Sequence, residues 1–213
     1  MKHAFVVLIS LMAAFLFSCK RGGVTREQDF RNWFKSNEDT LFNFEKNRER
    51  TLDKLRTEMH KLNPSLTFEF GPIEDGRREF VISADGIKNA FPEVEALYAA
   101  APSLPMWKFI KFRPRRKPMD VNYGGVSVPA ASVKVQLSRN GQLADLTVFI
   151  PTYSESKREA YTGIAFLLLD GTLGEYDVET RVGQIQVEAA PRSTIQTFSL
   201  ETLPNAFDTL FGN

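Results

Sequence analysis

The chain has 213 residues, with 27 Lys and Arg against 26 Asp and Glu, a formal net charge of +1 and one cysteine. This balance argues against a nucleic-acid binder, which carries a basic excess or stripe to neutralise phosphates. A single thiol excludes an internal disulfide and a multi-thiolate zinc site, so the fold rests on its core, to which 18 phenylalanines contribute.

The chain begins with the short basic Met1-Lys2-His3, and the following run Ala4 to Phe17 carries no charge and only Ser10 as a polar side chain. That is the form of an export signal. A spanning helix needs roughly 20 apolar residues to cross about 30 Å of hydrocarbon, and this run stops at Ser18, before Lys20-Arg21. Ser18 beside Cys19, with Leu16 three positions earlier, resembles the lipobox of bacterial lipoproteins, in which a peptidase cuts before a diacylglyceryl cysteine. Phe17 departs from that pattern, where small or β-branched residues are more usual. The resemblance implies a signal peptide over 1–18, a lipid on Cys19, a lipidated linker over 19–25, and a cell-envelope protein whose first partner is the membrane. One acyl chain gives reversible membrane binding, whereas two or more anchor stably. Lys20, where aspartate would resemble an inner-membrane retention signal, leans toward the outer membrane. The alternative is an ordinary secretory signal cut near Ser18 or Gly22. Removing 1–18 takes away Lys2 and no acid, which leaves the charges equal.

Residues 26–213 have the length of a single domain. Phe30, Trp33, Phe34, Leu41, Phe44, Leu52, Leu55, Met59 and Leu62 recur at spacings of three and four, which predicts one apolar helical face. Ser36, with Asp39 three residues later, suggests a cap, so a short helix is expected near 26–35 and a longer one near 37–62, ended by Pro64. The period then changes to two. Leu66 to Phe70 and Arg78 to Ser83 read as a β-hairpin around the turn-rich Gly71 to Gly76. Asp85-Gly86 reads as a turn, Pro92 to Ala101 as a helix stopped by Pro102, and Met106 to Phe112 as a third strand.

After the basic segment Arg113 to Asp120, Ser132 to Leu137 and Leu143 to Ile150 flank Ser138 to Gln142, which has hairpin-turn composition. Glu155 to Leu169 reads as a helix, apolar nearly all round over Ile164 to Leu169 and so expected to be the most buried element, with its end at Asp170-Gly171. Tyr176 to Val187 reads as one or two strands and Leu200 to Phe211 as a short helix or turn. No internal sequence repeat is visible. The expected class is α+β, with an antiparallel or mixed sheet covered by helices and a long N-terminal helical segment.

The motifs exclude several chemistries. Beyond residue 3 the one histidine is His60, so a multi-histidine metal site is impossible. At the end of a charged helix its cationic form suits the helix dipole. There is no phosphate-cradling glycine loop, dinucleotide fingerprint or nucleophile elbow, and no cofactor is implied. Arg113, Arg115, Arg116 and Lys117 form a cationic run interleaved with prolines. It reads either as a patch for anionic headgroups or an anionic envelope polymer, or as a solvated loop that discourages strand pairing. Asp170, Glu175, Asp177 and Glu179 form an acidic group. If 175–179 is extended, period-two geometry puts Glu175, Asp177 and Glu179 on one face, where they would hold a hard cation or supply an acid and base. Otherwise they form a solvent face paired with arginines such as Arg181.

Three functions follow. The first is a lipid-anchored binding or structural module that engages another envelope protein or polymer. The second is a carboxylate-dependent envelope hydrolase using acids such as Glu69, Glu79, Asp170 or Asp177. The third is a headgroup or polyanion sensor acting through Arg113 to Lys117. Leu66 to Pro72, Phe80 to Ser83 and Leu173 to Thr180 are similar to segments of uncharacterised bacterial proteins, a resemblance that lends no catalytic residue.

Overall fold

The computed structural model describes residues 25–191 and 195–212. The signal segment 1–18, Cys19 and nearly all of the linker lie outside the described residues. Helices and strands follow in the order α1 (Arg26–Ser36), α2 (Glu38–Phe42), α3 (Arg48–His60), β1 (Thr67–Glu74), β2 (Arg77–Ser83), α4 (Phe91–Ala99), β3 (Trp107–Lys111), β4 (Val121–Tyr123) and β5 (Val126–Val128). They continue with β6 (Lys134–Asn140), β7 (Leu143–Phe149), α5 (Arg158–Leu173), α6 (Glu175–Arg181), β8 (Val182–Glu188), β9 (Phe198–Ser199) and α7 (Leu203–Phe211). The α+β class holds, but the single expected sheet is three small ones: β1-β2-β3, the hairpin β4-β5, and β8-β7-β6-β9.

One plan occurs twice. In the first half the antiparallel hairpin β1-β2 is followed by α4 and then by β3, which lies parallel to β2. In the second half the hairpin β6-β7 is followed by α5 and α6 and then by β8, parallel to β7. Each half packs its own core. Phe34, Leu55, Met59, Phe80 and Trp107 belong to the first cluster, and Leu146, Val148, Ile164, Leu169 and Phe207 to the second. The first is aromatic, with Phe34 meeting Phe80 at 5.0 Å and Trp107 edge-on at 4.9 Å, the tilted geometries that ring quadrupoles favour.

The long N-terminal helix does not form. Its sequence is divided into α1, α2, a 3-10 turn at Phe44–Asn47, and α3. The expected cap at Ser36 is also absent, because Asn37 closes α1 and opens α2. The break surrounds Arg78 of β2, only 7% exposed, with partners. Glu45 accepts its guanidinium at 2.6 Å, and Phe42 and Phe44 lie under the cation at 5.4 and 4.9 Å. A buried charge is tolerated when it is paired, and a continuous helix would spread those three residues around its circumference.

Turns refine the hairpins. The β1-β2 connection is only Asp75-Gly76, both at positive φ, while Gly71 lies within β1 at a bulge. A Cβ on Gly71 would stand 2.7 Å from Glu79 Oε2, so glycine permits this approach. The expected β6-β7 hairpin turns at Gly141-Gln142, and Gly124-Gly125 closes the unexpected hairpin β4-β5. Helix α5 runs past Asp170-Gly171 to Leu173, and its apolar run is not buried on every side: Phe166 and Leu167 are exposed. The most thoroughly buried element is β2.

Candidate functional site

The two halves meet along residues 112–120 and the α5–α6 junction. At the end of β3, Phe112 adopts φ 61, a left-handed conformation costly for a bulky residue. Its ring is held between Phe91 at 4.5 Å and Tyr176 at 5.1 Å. This bend aims the following cations back into the protein, where each arginine takes carboxylates.

Arg113 is bound by Glu69 of β1 through Nε and by Asp85 at 2.6 Å through Nη1. Burial lowers its pKa, but its hydrogen bond to Asp85 and the nearby Glu69 charge outweigh that and raise it. Arg115 grips Asp208 of α7 with both terminal nitrogens at 2.7 Å, reaches Asp177 at 2.8 Å, and donates to the Leu173 carbonyl at 2.9 Å. Its hydrogen bonds to Asp208, then to Asp177, raise its pKa, and Asp208 is correspondingly held below its ordinary value by Arg115. Arg116 donates to Glu79 at 2.5 Å, and Lys108 binds the other Glu79 oxygen at 2.8 Å. Burial pushes the 3%-exposed Glu79 carboxyl up, but these two cations prevail and hold it below the usual range. Lys117 makes no ion pair among the described residues.

The acidic group is dispersed in role. Residues 175–181 are helical, not extended, so period-two geometry does not apply to them. Gly174, at φ 85, separates α5 from α6, a conformation that L side chains rarely adopt. Glu175 is fully buried and its carboxyl accepts three backbone N–H groups of the first half: Ala84 at 3.0 Å, Gly86 at 3.2 Å and Arg113 at 2.9 Å. In return its own N–H donates to the Arg113 carbonyl at 3.0 Å. Asp177 is shared by Arg115 and, at 3.4 Å, by Arg181. Burial, followed by the Glu175 charge, raises the pKa of Glu179. Asp170 is pushed up to about 7, chiefly by burial, against the opposing attraction of Arg113. Its Oδ1 is closed from solvent with no hydrogen-bond partner among the described residues. Among the described residues, no three His, Cys, Asp or Glu side chains are grouped so that they could hold a metal ion.

A cleft of ≈ 280 Å³ opens beside this clasp, between residues 113–121 and α5. Glu69, Arg116, Lys117, Met119, Leu167 and Asp170 are on its walls. A concave site that combines apolar walls, a few polar groups and a carboxyl with a strongly perturbed pKa fits small-ligand or side-chain recognition. Met119 is 72% and Leu167 48% exposed at its rim. Sequence reasoning singled out Arg113, Arg115, Arg116, Lys117 and Asp170 but missed Asp85, Asp208, Met119 and Leu167. Asp85 lies 28 residues from Arg113 and Asp208 lies 93 from Arg115, and no local pattern connects such pairs.

No family model, curated protein or solved structure matches the chain. No helix among the described residues is long and apolar enough to cross a membrane.

Proposed function

We propose that the protein is a lipid-anchored envelope binding module, tethered through an acylated Cys19 and engaging another envelope protein or polymer at the cleft between residues 113–121 and α5. The observation that carries this reading is the single cysteine after a short uncharged run, in the context Leu16-Phe17-Ser18-Cys19. Two or more acyl chains on that residue anchor the domain without a spanning helix. Lys20 at the next position favours the outer membrane. The exposed Met119 and Leu167 beside Lys117 supply an apolar contact with a cationic edge, the composition of a recognition surface.

Metabolic labelling with a fatty acid, detergent phase partition and envelope fractionation test the anchor. The wild type carries label and enters the detergent phase, and Cys19→Ala loses both properties. A Cys19→Ala chain that still fractionates with membranes overturns the reading. Photo-crosslinkers at Met119 or Leu167 in intact envelopes test the cleft, and a product that persists in full when Lys117→Glu is added removes it.

The hydrolase reading keeps one specific support: Asp170 holds its proton to about pH 7 and shares the cleft with Glu69. A general acid needs a carboxyl that keeps its proton, and glycosidic chemistry would further require a second carboxyl about 5–9.5 Å away. Release of new reducing ends from purified envelope glycan by wild type, lost in Asp170→Asn, would favour it over a pure binding role.

A further inference from the structure

A second concave surface lies apart from the clasp, where α1, α2 and α3 converge. Trp33, Asn37, Thr40, Arg50, Thr51 and Lys54 line a cavity of ≈ 290 Å³. Four of them, Trp33, Asn37, Arg50 and Lys54, also line an adjoining hollow of ≈ 610 Å³, so the two form one trough along α3.

Its chemistry is mixed in a particular way. Trp33 is half-buried, with its ring 6.1 Å from that of Phe30, which gives the trough an anchored flat apolar wall. Asn37 spends its Nδ2 on the Trp33 carbonyl at 2.8 Å, which leaves its side-chain oxygen to accept from elsewhere. Thr51 is buried at 4% on the wall of the cavity, and its hydroxyl makes no hydrogen bond among the described residues. The inner cavity carries no acid. In the outer hollow, Asp53 is tied to Arg56 and Glu58 to Lys61, each at 2.6 Å, and Glu49 is the remaining carboxylate. Arg50 and Lys54 form no ion pair among the described residues, in contrast to Arg113, Arg115 and Arg116.

We infer that this trough binds an acidic saccharide, with the Trp33 indole against the C–H face of a sugar ring, Asn37 and Thr51 on its hydroxyls, and Arg50 and Lys54 on its carboxylate. Each group matches one part of that ligand. An aromatic face offers a large rigid apolar contact, and a polar sugar needs neutral hydrogen-bonding groups beside it. A carboxylate is taken best by a cation that has no protein partner to give up. A simple inorganic anion would leave the indole unused, and a neutral sugar would leave both cations unused. The inference is independent of acylation, so a Cys19→Ala chain binds equally well.

The probe is a uronate-containing tetrasaccharide, compared with a neutral tetrasaccharide in which glucose replaces the uronate, each titrated into the detergent-solubilised full chain. The chain has two tryptophans, and Trp107 is 1% exposed in the first core. A ligand-induced change in tryptophan emission therefore reports Trp33. The expected result is a saturable emission change with the acidic tetrasaccharide, weakened by salt and absent in Trp33→Phe. Arg50→Gln/Lys54→Gln, at exposed positions, is expected to weaken acidic binding by roughly tenfold or more. No saturable change, equal binding of the neutral tetrasaccharide, or undiminished binding by Arg50→Gln/Lys54→Gln overturns the inference. Should Trp33→Phe fail to fold, calorimetric titration of the Arg50→Gln/Lys54→Gln chain gives the same decision.

Discussion

Glu175→Ala is expected to uncouple the two halves of the molecule. The carboxyl that it removes is fully buried in the second half and accepts the backbone N–H groups of Ala84, Gly86 and Arg113 from the first. Each buried donor left without an acceptor costs about 1–3 kcal/mol, and water entering the vacated space recovers part of that. The expected loss is about 3–5 kcal/mol, a large share of the roughly 5–15 kcal/mol that holds a folded domain together. For a chain of this size each kcal/mol shifts Tm by about 2–4 °C, so a fall on the order of 10 °C is expected. Urea unfolding followed by two probes makes the test specific. Both tryptophans, Trp33 and Trp107, lie in or against the first core, whereas far-UV circular dichroism reports helices and strands of both halves. The two transitions overlay in the wild type and separate in Glu175→Ala, the departure from two-state behaviour that loss of coupling produces. Glu175→Gln retains one acceptor oxygen and falls between them. A loss below about 1 kcal/mol, or transitions that still overlay after a larger loss, refutes the reasoning.

Asp170→Asn has a pH-dependent sign. The folded chain holds the Asp170 proton up to about 7, above the ordinary 3.8. Its contribution to stability is therefore full below about pH 4 and is lost as pH rises toward 7. Asn escapes that loss, so the variant is about 1–3 kcal/mol more stable than wild type at pH 8 and equal to it near pH 4, measured by urea unfolding. Arg115→Met removes the grip on Asp208 and Asp177 and is expected to cost about 1–2 kcal/mol at pH 7, a modest value because the guanidinium is partly exposed. Asp208 has a depressed pKa, so this contribution is present above its ordinary 3.8 and lost as pH falls through its lower folded value, and the difference between the two chains in thermal melts shrinks as pH is lowered below 3.8. Gly174→Ala forces a Cβ onto φ 85 and 3.4 Å from the Arg113 carbonyl, with an expected cost of about 1–3 kcal/mol in chemical denaturation.

Much of the local structure was readable because local rules govern it. The β6-β7 hairpin follows from alternating residues on either side of a glycine-containing turn, and Asp75-Gly76 and Asp85-Gly86 turn where their composition suggests. Residues 175–179 misled because Glu, Asp and Glu at alternate positions fit a strand, while the same residues also fit a helix started by a glycine. The choice is made by Gly174 and by the backbone donors waiting for Glu175 in the other half. The exposed Leu167 has a similar cause. Helix α5 is covered on one side by the second core, while its other side borders the cleft, which the run Ile164 to Leu169 does not announce. For the candidate site, the cations were evident as a run, but their partners were not.

The sequence by itself determined the export and lipidation expectation at Cys19 and the β1-β2 and β6-β7 hairpins, since each depends on residues close together in the chain, and its composition gave the α+β class and the supply of aromatic rings. Only the tertiary structure decided that the sheet divides into three, that the plan of hairpin, helix and parallel strand occurs twice, and that Arg113, Arg115 and Arg116 close the two halves together. Parallel pairing such as β2 with β3 and ion pairs such as Arg115 with Asp208 join segments brought close only by folding. Their energies depend on burial and distance, which no local pattern of residues encodes.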